Sequence, residues 1–231
     1  IQIIKYSSDK KSEWDNFVKN AKNGHFIFFR DYMEYHSDRF EDFSLMVYKD
    51  DDLISCLPAN IKNNVLYTHQ GLTFGGFITN ERISTPLMLE VFETFINFCR
   101  KHDIKEVVYK SIPYIYHKFP ANEDSYALFI NNAVLWRRDV TVTIDYSNRI
   151  EYQERRRRSI KKAKKNNILI LQSEDYKDYW EILSKNLYEK YKTKPVHSLE
   201  EIVKLHSLFP ENIVLFVALY ENNIVAGVVM Y

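Results

Sequence analysis

The sequence predicts an α+β fold built on one plan used twice, and three observations point to it. The residues from Ile1 and those after Asn167 run through the same order of strand, two helices and antiparallel hairpin. Between them lies RIEYQERRRRSIKKAKKNNILIL, Arg149 to Leu171, which reads as a charged helix feeding a strand. The two hairpins also turn on similar polar segments, Tyr48 to Leu53 and Tyr220 to Ile224, the second read as one residue shorter.

Taken in order, Ile1 to Tyr6 predicts a short strand. Ser12 to Asp15 resembles a capping box opening a helix whose Trp14, Phe17, Val18 and Ala21 fall at helical spacing. A second helix is expected over Asp31 to Phe40. Phe43 to Tyr48, Leu53 to Leu57 and Val65 to Thr68, separated by Asp50-Asp51 and Asn63-Asn64, predict an antiparallel meander with Pro58 at its margin. Ser84-Thr85-Pro86 caps a long helix to about His102, with Leu87, Val91, Phe95 and Cys99 buried. Glu106 to Lys110 is expected as a strand and Asn122 to Ala133 as a helix. Val140, Val142 and Ile144 alternate with threonines and predict a strand over Arg138 to Ile144.

Past Asn166-Asn167, which can stop a helix in the left-handed region, Ile168 to Leu171 is continuously apolar and reads as a central strand covered on both faces. A helix from Asp175 to Tyr191, a capping box at Ser198 to Glu201 and the hairpin LFVALYENNIVAGVVMY complete the order. The expected domains are therefore 1–147 and 148–231. The second copy matches only about the first 60 residues of the first, so the chain reads as a fragment, with Val225, Val228 and Val229 on an open strand edge that invites dimerisation.

With 45% hydrophobic and 15% aromatic residues in 231, the chain can bury a sizeable core. Lys+Arg 32 against Asp+Glu 31 gives a net charge of +1, which excludes a global basic field for nucleic acid. Cys56 and Cys99 stand alone, without disulfide or zinc-ligand spacing, so no metal is expected and a cytoplasmic setting fits. No apolar run approaches the roughly 20 residues of a membrane span.

The positive charge is local. From Arg155 to Lys165 eight of eleven residues are basic, either a solvated helix face or a phosphate-binding surface. Within it only pairs one turn apart, Arg157 with Lys161 and Arg158 with Lys162, can converge on one anion, and Glu154 is placed to pair with Arg158. His69 precedes the glycine-bearing segment THQGLTFGG, where it is either a turn histidine or a ligand-facing one. Gly71, Gly75 and Gly76 there are most simply explained by tight backbone geometry. His197 stands just before the capping box, as a structural group or in an acceptor groove. His36, Asp31 and Arg39 border one predicted helix, but no spacing singles out a catalytic base, and no Ser/His/Asp or Cys/His arrangement is present in the pattern.

Strand, two helices, meander, long helix and strand is the element order of GNAT-type N-acyltransferases. Two such units joined by RRRRSIKKAKKNNILI resemble the Fem-like family of peptidoglycan-bridge aminoacyltransferases and their bacterial relatives. There the second unit opens with R-x-I-x-K-A-x-K-x-G, which Arg158, Ile160, Lys162, Ala163 and Lys165 fit while Asn167 replaces the glycine. THQGLTFGG, IPYIYHKFPANEDSYALF and KPVHSLEEI also look like segments of this group. The resemblance implies tandem GNAT-like domains, the second incomplete. It also implies acyl transfer from acyl-coenzyme A or aminoacyl-tRNA to an amine of a cell-envelope precursor, amino sugar or small metabolite. Transfer RNA enters only as the acyl donor. His69, Arg157, Arg158, Lys161, Lys162 and His197 are the candidate substrate-binding residues. The pyrophosphate loop Q/R-x-x-G-x-G/A of GNAT units is not spelled by GLTFGGFITNERISTP. The rival reading is a non-catalytic module that binds a phosphorylated ligand through the same basic helix.

Overall fold

The computed structural model describes all 231 residues, Ile1–Tyr231. They form two compact units, Ile1–Thr141 and Val142–Tyr231. Unit 1 opens with β1 (Gln2–Lys5), α1 (Lys11–Asn20) and the short α2 (Arg30–Met33). A 3-10 turn at Ser8–Lys10 leads into α1, so Ser12 lies inside the helix and makes no cap there, contrary to the capping box expected. The helix expected over Asp31 to Phe40 is one turn of α2 continued by a 3-10 turn, Glu34–His36. Ser37 and Asp38 follow, residues that favour turns over helix interiors.

Strands β2 (Glu41–Asp42), β3 (Leu45–Lys49), β4 (Asp52–Leu57), β5 (Asn60–Lys62), β6 (Val65–Tyr67), β7 (Ile78–Thr79) and β8 (Glu106–Val108) form two sheets. Their orders are β1-β3-β4-β7, all antiparallel, and β2-β5-β6-β8, in which β6 and β8 are parallel. The single meander expected is thus split. Pro58 falls at the split, where it has no N–H to continue the ladder from β4 into β5.

Helix α3 (Thr85–Lys101) starts as its sequence dictates: Ser84 accepts the Leu87 N–H and Pro86 sits in the first turn. Its buried stripe is Met88, Val91, Phe92, Phe95 and Cys99, each side chain worth ~1.5–3 kcal/mol of burial. Helix α4 (Glu123–Ile130) packs on α3 through Ala127. Arg138 to Ile144 is not a strand: Val140, Val142 and Ile144 are exposed and no ladder forms. Alternation supplies β-propensity, but a strand also needs a neighbour to take its N–H and C=O groups.

Unit 2 contains α5 (Glu154–Lys165), β9 (Leu169–Ser173), α6 (Tyr176–Tyr191), α7 (Leu199–Leu208), β10 (Val214–Tyr220) and β11 (Asn223–Met230). Asn166 ends α5 and Asn167 turns left-handed at φ 56°. Ser198 and Glu201 form a complete capping box at the start of α7. The sheet order is β11-β10-β9, so β9 is an edge strand and not a central one; Leu169, Ile170 and Leu171 are exposed. An unbroken apolar run marks the wish to be covered, not the cover itself.

The two hairpins match in detail. Asp50 and Asp51 join β3 to β4 with φ 50° and 67°, while Glu221 and Asn222 join β10 to β11 with φ 50° and 63°. Both are two-residue loops, Lys49 opposing Asp52 and Tyr220 opposing Asn223, so the second turn is not shorter. Two pairs further on each ladder skips one residue: Val47 opposes Ser55 before Tyr48 opposes Leu53, and Ala218 opposes Ala226 before Leu219 opposes Ile224. Ile3 opposes Val47 as Ile170 opposes Ala218. Trp14 of α1 donates its indole N–H to the Phe28 carbonyl at 2.8 Å, and Trp180 of α6 donates to the His197 carbonyl at 3.1 Å.

Arg30, 2% exposed, ties the first elements of unit 1 together. Its Nε donates to Glu34 at 2.9 Å, Nη2 to Asp42 at 2.8 Å and Nη1 to Ser44 Oγ at 3.2 Å, while the guanidinium lies 3.7 Å from the Tyr6 ring centroid. Replacing Arg30 by Met removes the cation from two carboxylates, and the expected loss is about 3 kcal/mol in urea unfolding. Arg30→Lys restores only part of this, because an ammonium cannot reproduce the fork. An unchanged denaturation midpoint in Arg30→Met would show that the network is not a support.

Candidate functional site

The glycine-bearing loop Thr68 to Gly76 is sewn to the end of β8 by Lys110. The Lys110 N–H donates to Thr68 Oγ1 at 2.7 Å, its carbonyl accepts the Gly75 N–H at 3.2 Å, and its Nζ donates to the Leu72 carbonyl. Burial pushes the Lys110 amine down to about 8. The glycines are required by protein groups. A Cβ on Gly75 would lie 1.6 Å from the Thr68 carbonyl oxygen, and one on Gly71 would lie 2.4 Å from His36 Nε2.

His69 is buried inside this loop. Its Nδ1 accepts the Gly71 N–H at 3.1 Å, which puts the ring proton of the neutral form on Nε2. The ring stacks on His36, with centroids 5.4 Å apart and planes 9° from parallel, and Phe40 meets both rings edge-on. Burial, followed by the neighbouring His36, pushes His69 down to about 3. Arg30, Glu34, Asp42, His36, Phe40 and His69 line a cavity of about 20 Å³, room for about one water molecule and too small for a substrate. A larger hollow of about 320 Å³ lies away from it, at the β3–β4 turn and the start of α3, lined by Lys49, Asp52, Asn80 and Arg82 among others.

Arg157, Arg158, Lys161 and Lys162 all lie on α5, none of whose residues is buried. Eight basic residues against Glu154 give this helix a formal charge of +7. Glu154 holds Arg158 Nε at 3.0 Å and Arg157 Nη2 at 3.3 Å, and Glu151 reaches Arg157 Nη1 at 3.6 Å. His197 sits at the end of the loop before α7, its carbonyl engaged by Trp180 and its ring stacked on Tyr231 at 6.3 Å. The six predicted residues therefore occupy three places: the buried loop of unit 1, the exposed helix of unit 2, and the α7 cap. Sequence reading passed over Arg30 and Lys110. Their signal is only their burial, which local spacing does not encode. No group of three or more His, Cys, Asp or Glu side chains is gathered as a metal site would require, and no helix is long and apolar enough to cross a membrane.

No family model and no curated protein sequence matches this chain. Among solved structures, FemX is similar over 94% of this chain and 57% of its own, with a TM-score of 0.57 and 11% identity. The chain thus spans a little over half the length of FemX. An aminoglycoside 6'-N-acetyltransferase from Acinetobacter haemolyticus, in its apo form, aligns with 65% of this chain and 100% of its own at a TM-score of 0.34 and 13% identity, an overlap too low to carry weight. The fold is Fem-like: mixed α+β, with largely antiparallel sheets and flanking helices.

His69 also generates a pH dependence. Its folded-state value, about 3, lies below the ordinary 6.5, so the unfolded chain takes up this proton first as pH falls. The stability it contributes is fully present above about pH 6.5 and is lost between there and pH 3, on the order of 5 kcal/mol over the whole span. His25, among Phe26, Phe28, Phe74 and Tyr116 and pushed down to about 4 by burial, acts in the same direction. Denaturant titrations from pH 7 to 4 are expected to show this slope, reduced in His69→Gln. An identical slope in that variant would remove His69 as its source.

Proposed function

We propose that the protein is an N-acyltransferase of the Fem kind, carrying an acyl or aminoacyl group from coenzyme A or aminoacyl-tRNA to an amine of an envelope precursor, amino sugar or small metabolite. The observation that carries this reading is the overlay on FemX along nearly the whole chain. The matched registers and bulges of β1-β3-β4 and β9-β10-β11 support its construction from two GNAT-like units.

In the proposed reaction the acceptor amine attacks the donor's thioester or ester carbon. Donors of hydrogen bonds stabilise the oxyanion of the tetrahedral intermediate, the amine gives up its proton, and the C–S or C–O bond breaks to release the coenzyme A thiol or the tRNA hydroxyl. Helix α5 is assigned the phosphates that both donors carry. Arg157 with Lys161 and Arg158 with Lys162 stand one turn apart, the spacing at which two cations meet one anion. Neither His69 nor His25 suits a general base at neutral pH, because both are held well below that range. That same observation favours the rival reading, a module that binds a phosphorylated ligand without chemistry.

Titration with acetyl-coenzyme A and with tRNA at about 50 and 200 mM salt separates these readings. Binding is expected to weaken as salt rises, and to weaken about tenfold when Arg157 and Arg158 are both replaced by alanine. Acyl transfer to an amine acceptor supports the enzyme, and saturable binding without turnover supports the module. Affinity indifferent to both salt and the double substitution removes α5 from either.

A further inference from the structure

The nucleophiles of this chain differ in burial and in partners. Cys56 and Cys99 are buried, and burial pushes both thiols up, Cys99 to about 12, so neither presents a thiolate. The Lys22 side chain is 3% exposed and bonded to Glu123 at 2.6 Å. Lys10, Lys11 and Lys49 are engaged by carboxylates as well, and the lysines of α5 stand in water. Lys110 differs from all of these. It is partly exposed, its Nζ donates to a backbone carbonyl, that of Leu72, and no carboxylate pairs with it. Its main chain is fixed on both sides, the N–H by Thr68 Oγ1 at 2.7 Å and the carbonyl by the Gly75 N–H at 3.2 Å. A cation held there lacks both the water and the counter-charge that stabilise an ordinary lysine. The neighbouring His69 ring, neutral at physiological pH, supplies no negative charge.

We infer that Lys110 is a site of covalent acylation on this protein, with acyl thioesters as its substrate class. In this step the neutral amine nitrogen attacks the thioester carbonyl carbon, the C–S bond breaks as the C–N bond forms, and the proton lost from nitrogen leaves with the thiol. The product amide carries no charge to desolvate and retains one N–H for the Leu72 carbonyl. An aldehyde fits the place less well, because its neutral imine has no N–H and leaves that carbonyl unanswered. The amine is pushed down to about 8 by burial, so roughly a quarter of it is neutral at about pH 7.5, against about 0.1% for a lysine near 10.4. Lower basicity also weakens a nucleophile, by a slope of about 0.4–0.5 in the case of thiols. The two effects together leave an advantage on the order of tenfold. The step needs no other catalytic group and no donor surface, so it stands apart from the transfer proposed above.

The test incubates the folded 231-residue chain with N,S-diacetylcysteamine and follows acetylation of each lysine by peptide mass spectrometry. This thioester lacks the phosphates of coenzyme A, so the result does not depend on the role proposed for α5. At about pH 7.5 Lys110 is expected to react about tenfold faster than the exposed Lys161 and Lys162. Its rate should rise with pH to about 8 and then level off, because the neutral fraction saturates there. In concentrated urea the preference should vanish, since the loop that creates it is gone. Lys110 reacting no faster than Lys161 in the folded chain, a preference that survives urea, or a rate still climbing well above pH 8 overturns the inference.

Discussion

The buried guanidinium of Arg30 is the point from which unit 1 is set out. A cation removed from water must be answered on every side, and here the answers come from three different stretches, with a fourth holding the backbone of the same residue. Tyr6 follows β1, Glu34 follows α2, and Asp42 and Ser44 flank the entry to β3; Asp15 of α1 accepts the Arg30 N–H at 2.8 Å. Because these groups converge on one residue, the short α2 and its 3-10 extension have little freedom of place. That fixes His36, and His36 fixes how closely the Gly71 backbone and the His69 ring approach. The glycine-bearing loop, whose His69 the sequence leaves as either a turn histidine or a ligand-facing one, packs against the rings of His36 and Phe40.

What was legible in the sequence was whatever is decided within one turn. The Ser84 cap, the reciprocal Ser198–Glu201 box, the Asn167 stop and both hairpin turns follow from side chains bonding their own backbone or tolerating positive φ. What misled was apolar pattern taken as proof of cover. Val140, Val142 and Ile144 alternate as a strand should, and Ile168 to Leu171 is as apolar as a central strand, yet the first has no ladder and the second lies at an edge. Pattern states which face a residue would bury, while pairing is settled by segments far away in the chain. The hairpin lengths show the reverse case. Sequence comparison of the turns suggested unequal loops, whereas the ladders place the same two-residue turn and the same skipped residue in each unit.

The candidate site was legible only where charge is concentrated. Helix α5 is evident from composition, and its pairs of cations one turn apart follow from helical geometry alone. The chemistry of His69 was not legible, because a histidine's role is set by burial and by neighbours such as His36, which stands 33 positions away in sequence and in a segment whose helix was itself misjudged. Lys110 was missed for the same reason: its amine is lowered by burial, which its position at the end of a predicted strand does not announce.

Helix α5 also sets an energetic problem that bears on its role. Twelve residues are marginal for a helix in water, and this one buries none of its residues to compensate. Glu154 in the first turn and Lys162, Lys164 and Lys165 in the last suit the helix dipole, and Glu154 bridges Arg157 and Arg158. Against these stand like charges one turn apart, Arg157 with Lys161 and Arg158 with Lys162, each pair unfavourable by a few tenths of a kcal/mol. The chain as a whole is only +1, so the repulsion is concentrated in α5. An anion bridging such a pair turns the repulsion into attraction, and whatever binds the helical form more tightly than the frayed one stabilises the helix by the same free energy. If α5 binds phosphate as proposed, recognition and helix order are one equilibrium on this segment. On the proposed reading, a phosphorylated ligand held by basic residues one turn apart relieves the repulsion that their spacing creates.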